Sequence, residues 1–277
     1  MGAAGPSAPA TRQAPDQAKA PIKPEPRIKT AKGPDHHAPA RHRACLPSAP
    51  VATNPLYDDL SFRLGRLDGV ELIAAAAFGP LGGKLALVSS FGTEAAVLLH
   101  MISRVDRDLQ VIFLETGMLF PETLAYRDQL IDRLGLRNVR SETPDPVEHA
   151  REDPTDELWM TDTDRCCAFR KVRPLARALS EVDGWISGLK RHHGGGRAAV
   201  MPVERDGRRV KLNPLAFWGH DQVLAYFAAN DLPRHPLEAQ GYASIGCIPC
   251  TSRSRPGKAC AVAAGSARAR PNAVSTP

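Results

Sequence analysis

The chain has 277 residues, enough to bury a sizeable core, and a formal net charge of +6. That charge sits at the ends: residues 1–55 hold eight Lys/Arg against three Asp/Glu and residues 251–277 five against none, which leaves 23 basic against 27 acidic residues between them. A net-acidic body excludes a duplex-binding surface, so no nucleic-acid partner is expected and the excess positive charge reads as solvated tails. No run approaches the ~18 uninterrupted apolar residues of a membrane span, and the N-terminus lacks the apolar core of an export signal. Six cysteines, four of them as an adjacent pair and a CxxC, suit a reducing compartment and a metal rather than a disulfide framework. A cytoplasmic protein with no membrane partner is expected.

Residues 1–55 carry eleven of the twenty-five prolines and no apolar run able to offset the entropy of ordering, so they read as a disordered Pro/Ala-rich extension. Residues 252–277, small and basic without periodicity, read as a disordered tail, and 56–251 as the folded domain. Within that body, Leu60, Leu64, Leu67, Val70, Leu72 and Ile73 fall near one face of a helix over 57–78, stopped by Gly79-Pro80. LALVSS (85–90) reads as a buried strand, 94–105 as a helix and LQVIFLE (109–115) as a second strand. Pro121 opens a helix that Gly135 closes, and a third strand is expected at 137–140. Residues 166–180 read as a helix interrupted at Pro174, and GWISGL (184–189) as a strand followed by the basic loop KRHHGGGR. Asp206-Gly207 turns between two short strand-like runs, and 219–231 has helical spacing. Alternating strand and helix predicts an α/β fold: a mostly parallel sheet with helices on both faces.

In such a sheet, ligands lie beyond the carboxyl ends of the strands. Two loops fall at that edge. Ser89-Ser90-Phe91-Gly92-Thr93-Glu94 offers hydroxyls, amides and a helix N-terminus to a phosphate or sulfate, or else simply caps the helix. Glu115-Thr116-Gly117 offers a hydroxyl and a permissive backbone, or is a plain βα connection. Cys166 and Cys167 with Cys247 and Cys250 supply four thiolates, which suit tetrahedral zinc or an iron–sulfur cluster; an adjacent Cys-Cys is unusual for zinc and favours the cluster. Lys171 lies one helical turn from Cys167, placed either to face a negatively charged centre or to be solvated. Lys190, Arg191 and Arg197 flank the Gly-rich loop, where ammonium and guanidinium groups match phosphate and sulfate. His192 and His193 read as solvated loop histidines rather than metal ligands.

In this order, SSFGTEAAVLLH, FLETGMLFPETLAYRDQL, Cys-Cys-x-x-Arg-Lys-Val, WISGLKR, KLNPLAFW and GYASIGCIPCT resemble the assimilatory adenylyl-sulfate and phosphoadenylyl-sulfate reductases over about 57–251. The resemblance implies an adenine nucleotide α-hydrolase-like fold. It also implies a sulfonucleotide site lined by Ser89, Ser90, Gly92, Glu94, Thr116 and Gly117, with Lys171, Lys190, Arg191 and Arg197 neutralising phosphate and sulfate. Members with both cysteine pairs carry a [4Fe-4S] cluster and generally take adenylyl sulfate, which thioredoxin or glutaredoxin reduces to sulfite with release of AMP. Cys166, Cys167, Cys247 and Cys250 match that pattern.

Two departures qualify the match. Lys190 stands where Arg is usual, and His-His-Gly replaces an acidic-Gln-Ser stretch. The family's nucleophilic cysteine, in a C-terminal Glu-Cys-Gly-(Leu/Ile)-His motif, has no counterpart; Cys260 is the one cysteine after the CxxC and lacks that context. The change to Ala/Arg-rich sequence after Thr251 reads as a shifted reading frame or a replaced end. The expected activity is therefore adenylyl-sulfate reduction, with a catalytically silent sulfonucleotide-binding iron–sulfur protein and a phosphoadenylyl-sulfate reductase as alternatives.

Overall fold

The computed structural model describes residues 54–254. Cys260 and all but a few residues of the two expected tails lie outside that range. Pro55, placed by the sequence reading in the extension, opens the first helix, where its fixed φ and missing N–H suit the N1 position.

Helices α1 (Pro55–Leu64) and α2 (Gly69–Ala77) replace the single helix expected over 57–78. The break falls at Gly69, whose φ of +47° is left-handed and whose N–H donates to the Pro214 carbonyl at 2.8 Å. The apolar spacing survives because both pieces bury Leu60, Leu64, Leu72 and Ile73 in one core. There follow β1 (Leu85–Ser89), α3 (Ala95–Val105), β2 (Gln110–Leu114), α4 (Pro121–Leu134) and β3 (Val139–Glu142). Gly135 ends α4 at φ 62°, in the left-handed cap that glycine takes without a Cβ penalty.

Two short helices not read from the sequence, α5 (Pro146–Glu152) and α6 (Leu158–Thr161), lead into α7 (Thr163–Cys167). A π-helical turn (Ala168–Val172) joins α7 to α8 (Arg173–Leu179). The interruption expected at Pro174 thus takes the form of a widened turn before the proline, which accommodates its missing donor without breaking the helix axis. Next come β4 (Gly184–Ile186), two 3-10 turns (Arg191–His193 and Gly195–Arg197), the hairpin β5 (Val203–Asp206) and β6 (Arg209–Leu212), α9 (His220–Ala229), and a 3-10 turn at Ile248–Cys250.

The sheet runs β3-β2-β1-β4-β6-β5, parallel throughout except that β5 pairs antiparallel with β6 at the edge. Side chains alternate between its faces. Leu85, Leu87, Val111, Phe113, Ile186, Val210 and Leu212 enter the large core with α1, α2, α3, α4 and α9. Ala86, Ile112 and Trp185 face Leu175, Ala178 and Leu179 of α8 on the other side. Each fully buried Leu, Ile or Phe contributes about 1.5–3 kcal/mol. From β1 the chain moves outward through β2 and β3, then returns to place β4 on the opposite flank of β1. The two strands diverge from that point, opening a crevice beyond their carboxyl ends. Among the described residues no helix is long and apolar enough to cross a membrane.

Candidate functional site

A cleft of about 280 Å³ occupies this crevice. Its walls are the loop after β1 (Ser89, Ser90, Gly92, Thr93, Glu94), the segment after β4 (Ser187, Gly188, Leu189, Lys190), His193 and Arg197 from the 3-10 turns, and Ser244 with Ile245. The β1 loop is bent by Phe91, a bulky residue held at φ 49°. Its buried ring stacks edge-on against Phe113 at 5.3 Å, and its N–H donates to the Ser89 hydroxyl at 3.2 Å. Core packing therefore holds the strain and turns Ser90 and Gly92 toward the cleft.

Charge in the cleft is arranged around Glu94. The Lys190 ammonium, 2% exposed as a residue, donates to Glu94 Oε2 at 2.8 Å and to the Gly188 carbonyl at 3.2 Å. His193 Nε2 lies 3.5 Å from the same carboxylate oxygen. Burial opposes ionisation of Glu94, but the His193 hydrogen bond and the Lys190 charge outweigh it and hold the carboxyl well below its usual range. Arg197 donates to His193 Nδ1 at 3.0 Å and, among the described residues, pairs with no carboxylate. Burial lowers its pKa, so a desolvated guanidinium is left facing the cavity, an arrangement that an anion would complete.

Arg191, expected beside Lys190, turns the other way. Its Nε donates to the Val200 carbonyl at 2.6 Å and its guanidinium stacks 4.4 Å from the Phe217 ring, away from the cleft walls. Backbone geometry explains the split: Lys190 is extended (φ −136°, ψ 142°), so successive side chains leave on opposite sides.

The four cysteines form a second centre, reached through the segment that closes the cleft. Ile245 faces the cavity, and two residues on, Cys247 is buried and bridged to Leu119 across the β2 loop. The Ile248 N–H donates to the Met118 carbonyl at 2.8 Å, which fixes the CxxC turn against that loop. Thr116 and Gly117 belong to this centre rather than to the cleft: the Thr116 hydroxyl lies 3.2 Å from Cys247 Sγ. Lys171 stands among the thiols. Burial works against its charge, but Cys247, Cys167 and Cys250, with a hydrogen bond to Cys247, keep it charged and raise its pKa. Burial pushes the Cys166 thiol up to about 11, against the nearby Arg170 charge, so its thiolate needs a cationic partner.

Sequence reading assigned no role to Arg170, Ser187, Ser244 or Ile245, although all four stand inside motifs it quoted. Among the described residues, the ligating atoms of Glu94, His192 and His193 lie within 4.8 Å of one another, as do those of His149, Asp153 and Asp156. Both sets already hold protein cations: Lys190 and Arg197 bond two members of the first, and Arg170 bonds both carboxylates of the second. The four thiols form no set that tight. A single tetrahedral zinc, with sulfurs at ~2.3 Å, would draw them within about 4 Å of each other.

The phosphoadenosine phosphosulfate reductase domain pattern matches residues 84–253, which span both centres. The chain is 45% identical over 194 residues to adenosine 5'-phosphosulfate reductase of Mesorhizobium japonicum, covering 70% of this chain and 76% of that one. It is 39% identical over 219 residues to phosphoadenosine 5'-phosphosulfate reductase of Xanthomonas axonopodis, covering 76% and 90%. The crystal structure of phosphoadenylyl-sulfate reductase from Candida auris in a phosphate complex superposes with a TM-score of 0.58 at 28% identity, covering 72% of this chain and 96% of that chain. Sheet order, the crevice at the β1–β4 switch and the match across 84–253 agree, and the chain belongs to the phosphoadenosine phosphosulfate reductase domain family.

Proposed function

We propose that the protein reduces adenylyl sulfate to sulfite and AMP, with thioredoxin or glutaredoxin as reductant, and that Cys166, Cys167, Cys247 and Cys250 hold a [4Fe-4S] cluster. One observation carries this reading: Cys167, Cys247 and Cys250 gather about the charged Lys171, with Cys166 beside Cys167 and Cys247, at the end of the same segment, 244–247, that closes an anion-ready cleft. The donor set fits the cluster, being all thiol, half-buried or buried, and spaced more widely than one zinc ion would hold it. When bound, the cluster supplies a fixed inorganic charge that ties the CxxC turn to α7. Four free thiols suit a reducing compartment, and the reading places the protein in the cytoplasm. Adenylyl sulfate is preferred because both cysteine pairs are present and because relatives at 45% identity from Mesorhizobium and Chelativorans carry that name.

In the cleft, Ser89, Ser90 and Gly92 present backbone and hydroxyl donors to the anion, while Arg197 and the Glu94–Lys190 pair set the local charge. The reaction needs a cysteine thiolate to attack the sulfate sulfur, forming an S–S bond as the S–O bond to AMP breaks. A thioredoxin thiolate then attacks the cysteine sulfur; sulfite leaves with the electron pair, and the second thioredoxin thiol closes its own disulfide. No cysteine lines the cleft among the described residues. That observation favours the second reading, a sulfonucleotide-binding iron–sulfur protein without turnover, unless Cys260 supplies the thiol.

Purified full-length protein assayed for iron, labile sulfide and sulfite release from adenylyl sulfate decides between them. Equal sulfite and AMP, abolished by Cys260→Ser, establishes the reductase. Tight nucleotide binding with no sulfite establishes the silent form. A colourless, iron-free protein after anaerobic purification overturns the cluster reading.

A further inference from the structure

We propose that Arg170 is the positioning residue of the cysteine centre, the group that registers the CxxC turn against Cys166 and Cys167. The inference rests on the assignment of those four cysteines as one centre. Arg170 is 2% exposed and lies in the π-helical turn, three residues after Cys167. Its guanidinium reaches three separate segments at once. NH1 donates to the Thr116 carbonyl at 2.8 Å; Nε donates to Asp153 Oδ2 at 3.2 Å; NH2 donates to Asp156 Oδ1 at 2.6 Å and approaches His149 Nε2 at 3.3 Å.

The contact with Thr116 leads toward the thiols. Thr116, held by its carbonyl, places its hydroxyl 3.2 Å from Cys247 Sγ. Gly117 leaves room for the guanidinium, since a Cβ there would stand 3.3 Å from Arg170 NH1. One residue further, the Met118 carbonyl accepts the Ile248 N–H. The strap 116–119 is thus fastened to Arg170 on one side and to the CxxC turn on the other. The π turn makes the placement possible, because its wider winding redirects the side chains that follow Cys167.

The acidic partners are arranged for this arginine. Asp153 is 2% exposed and would be a buried anion without it. Asp156 is held at φ 60°, a left-handed conformation that a non-glycine residue adopts at a cost. Its carboxylate binds both Arg170 and His149, so the strained backbone delivers a ligand to the guanidinium. A residue needed for packing alone would not require a second strained anion at an exposed loop. Arg fits the task and Lys does not, because a forked planar group reaches a carbonyl and two carboxylates in fixed directions.

Two full-length variants test this, Arg170→Lys and Asp156→Gly. The first keeps the charge and loses the fork. The second removes one anchor while relieving the left-handed strain, so a merely structural residue would leave melting unchanged or raised. Two readouts are followed in protein as purified: cluster loss to an iron chelator, with the Mössbauer signature of the iron, and the alkylation rate of Cys247 mapped by mass spectrometry. Outer-shell partners set metal affinity by about tenfold or more, so Arg170→Lys is expected to lose its cluster, and expose Cys247, about tenfold faster than wild type. Asp156→Gly is expected to do so to a smaller degree with melting not lowered. Wild-type rates and an unaltered signature in both variants overturn the proposal, and if Arg170→Lys does not fold, Asp156→Gly decides alone. If the wild type holds no iron, the cluster reading fails while the Cys247 alkylation comparison still decides the role of Arg170.

Discussion

The cleft and the cysteine centre share one connecting segment, yet they handle charge in opposite ways. In the cleft, Glu94 and Lys190 neutralise each other with the His193 ring beside them, and Arg197 faces the cavity without an acidic partner among the described residues. At the cysteine centre Arg170 is matched by Asp153 and Asp156, and Lys171 brings its charge directly among the thiols. A site meant to exchange ligands keeps its charges paired until one arrives. On the proposed cluster reading, the cysteine site would hold a permanent anionic group and has a cation, Lys171, already in place.

The largest effect that would break this contrast is expected at Cys247. Replacing it with Ala removes a buried thiol, a proposed cluster ligand and the partner of the Thr116 hydroxyl, so bound iron and sulfite release should both fall to background. Retention of full iron content by Cys247→Ala would dissolve the distinction between the two regions. Lys190→Met comes next. It leaves the Glu94 carboxylate half-buried without its ammonium, at a cost of about 2–3 kcal/mol in stability by denaturant titration, and nucleotide affinity should drop about tenfold.

Acid sharpens the same point. The Glu94 carboxyl sits below its usual 4.5 in the folded state, so its contribution to stability is complete above that value and declines as pH falls further. Urea midpoints measured from about pH 6 to about pH 3 should decline in the wild type and decline less in Lys190→Met, whose carboxyl returns toward the ordinary range. The smallest effect belongs to Arg191→Ala. It loses a stack on Phe217 and a bond to the Val200 carbonyl, about 1 kcal/mol, and nucleotide affinity should stay within about twofold.

Much of the fold can be read along the chain because its signals are local. The β1 and β2 strands appear within a residue or two of where apolar runs put them, and Pro121 and Gly135 bound α4 as their backbone preferences require. The break between α1 and α2 is not local: it depends on a left-handed Gly69 tied to a carbonyl at residue 214. The cysteines announce themselves by spacing, and Lys171 by its helical offset from Cys167. Arg170 does not, since its partners lie 14, 17 and 54 residues away and nothing in a neighbouring Arg-Lys pair shows which one is buried. Lys190 and Arg191 teach the reverse lesson: two adjacent cations read alike, and only the extended backbone between them sends one to Glu94 and the other to Phe217.

The antiparallel strand β5 has a consequence for how copies of this protein meet. A parallel sheet that ended on β6 would present a flat row of open amides and carbonyls to any extended chain. Instead the rim is four residues long, carries Glu204 and Arg205, and packs beside α1, which leaves little for a foreign strand to lengthen. In a crowded cell, this short charged border protects its own edge of the sheet against edge-to-edge aggregation.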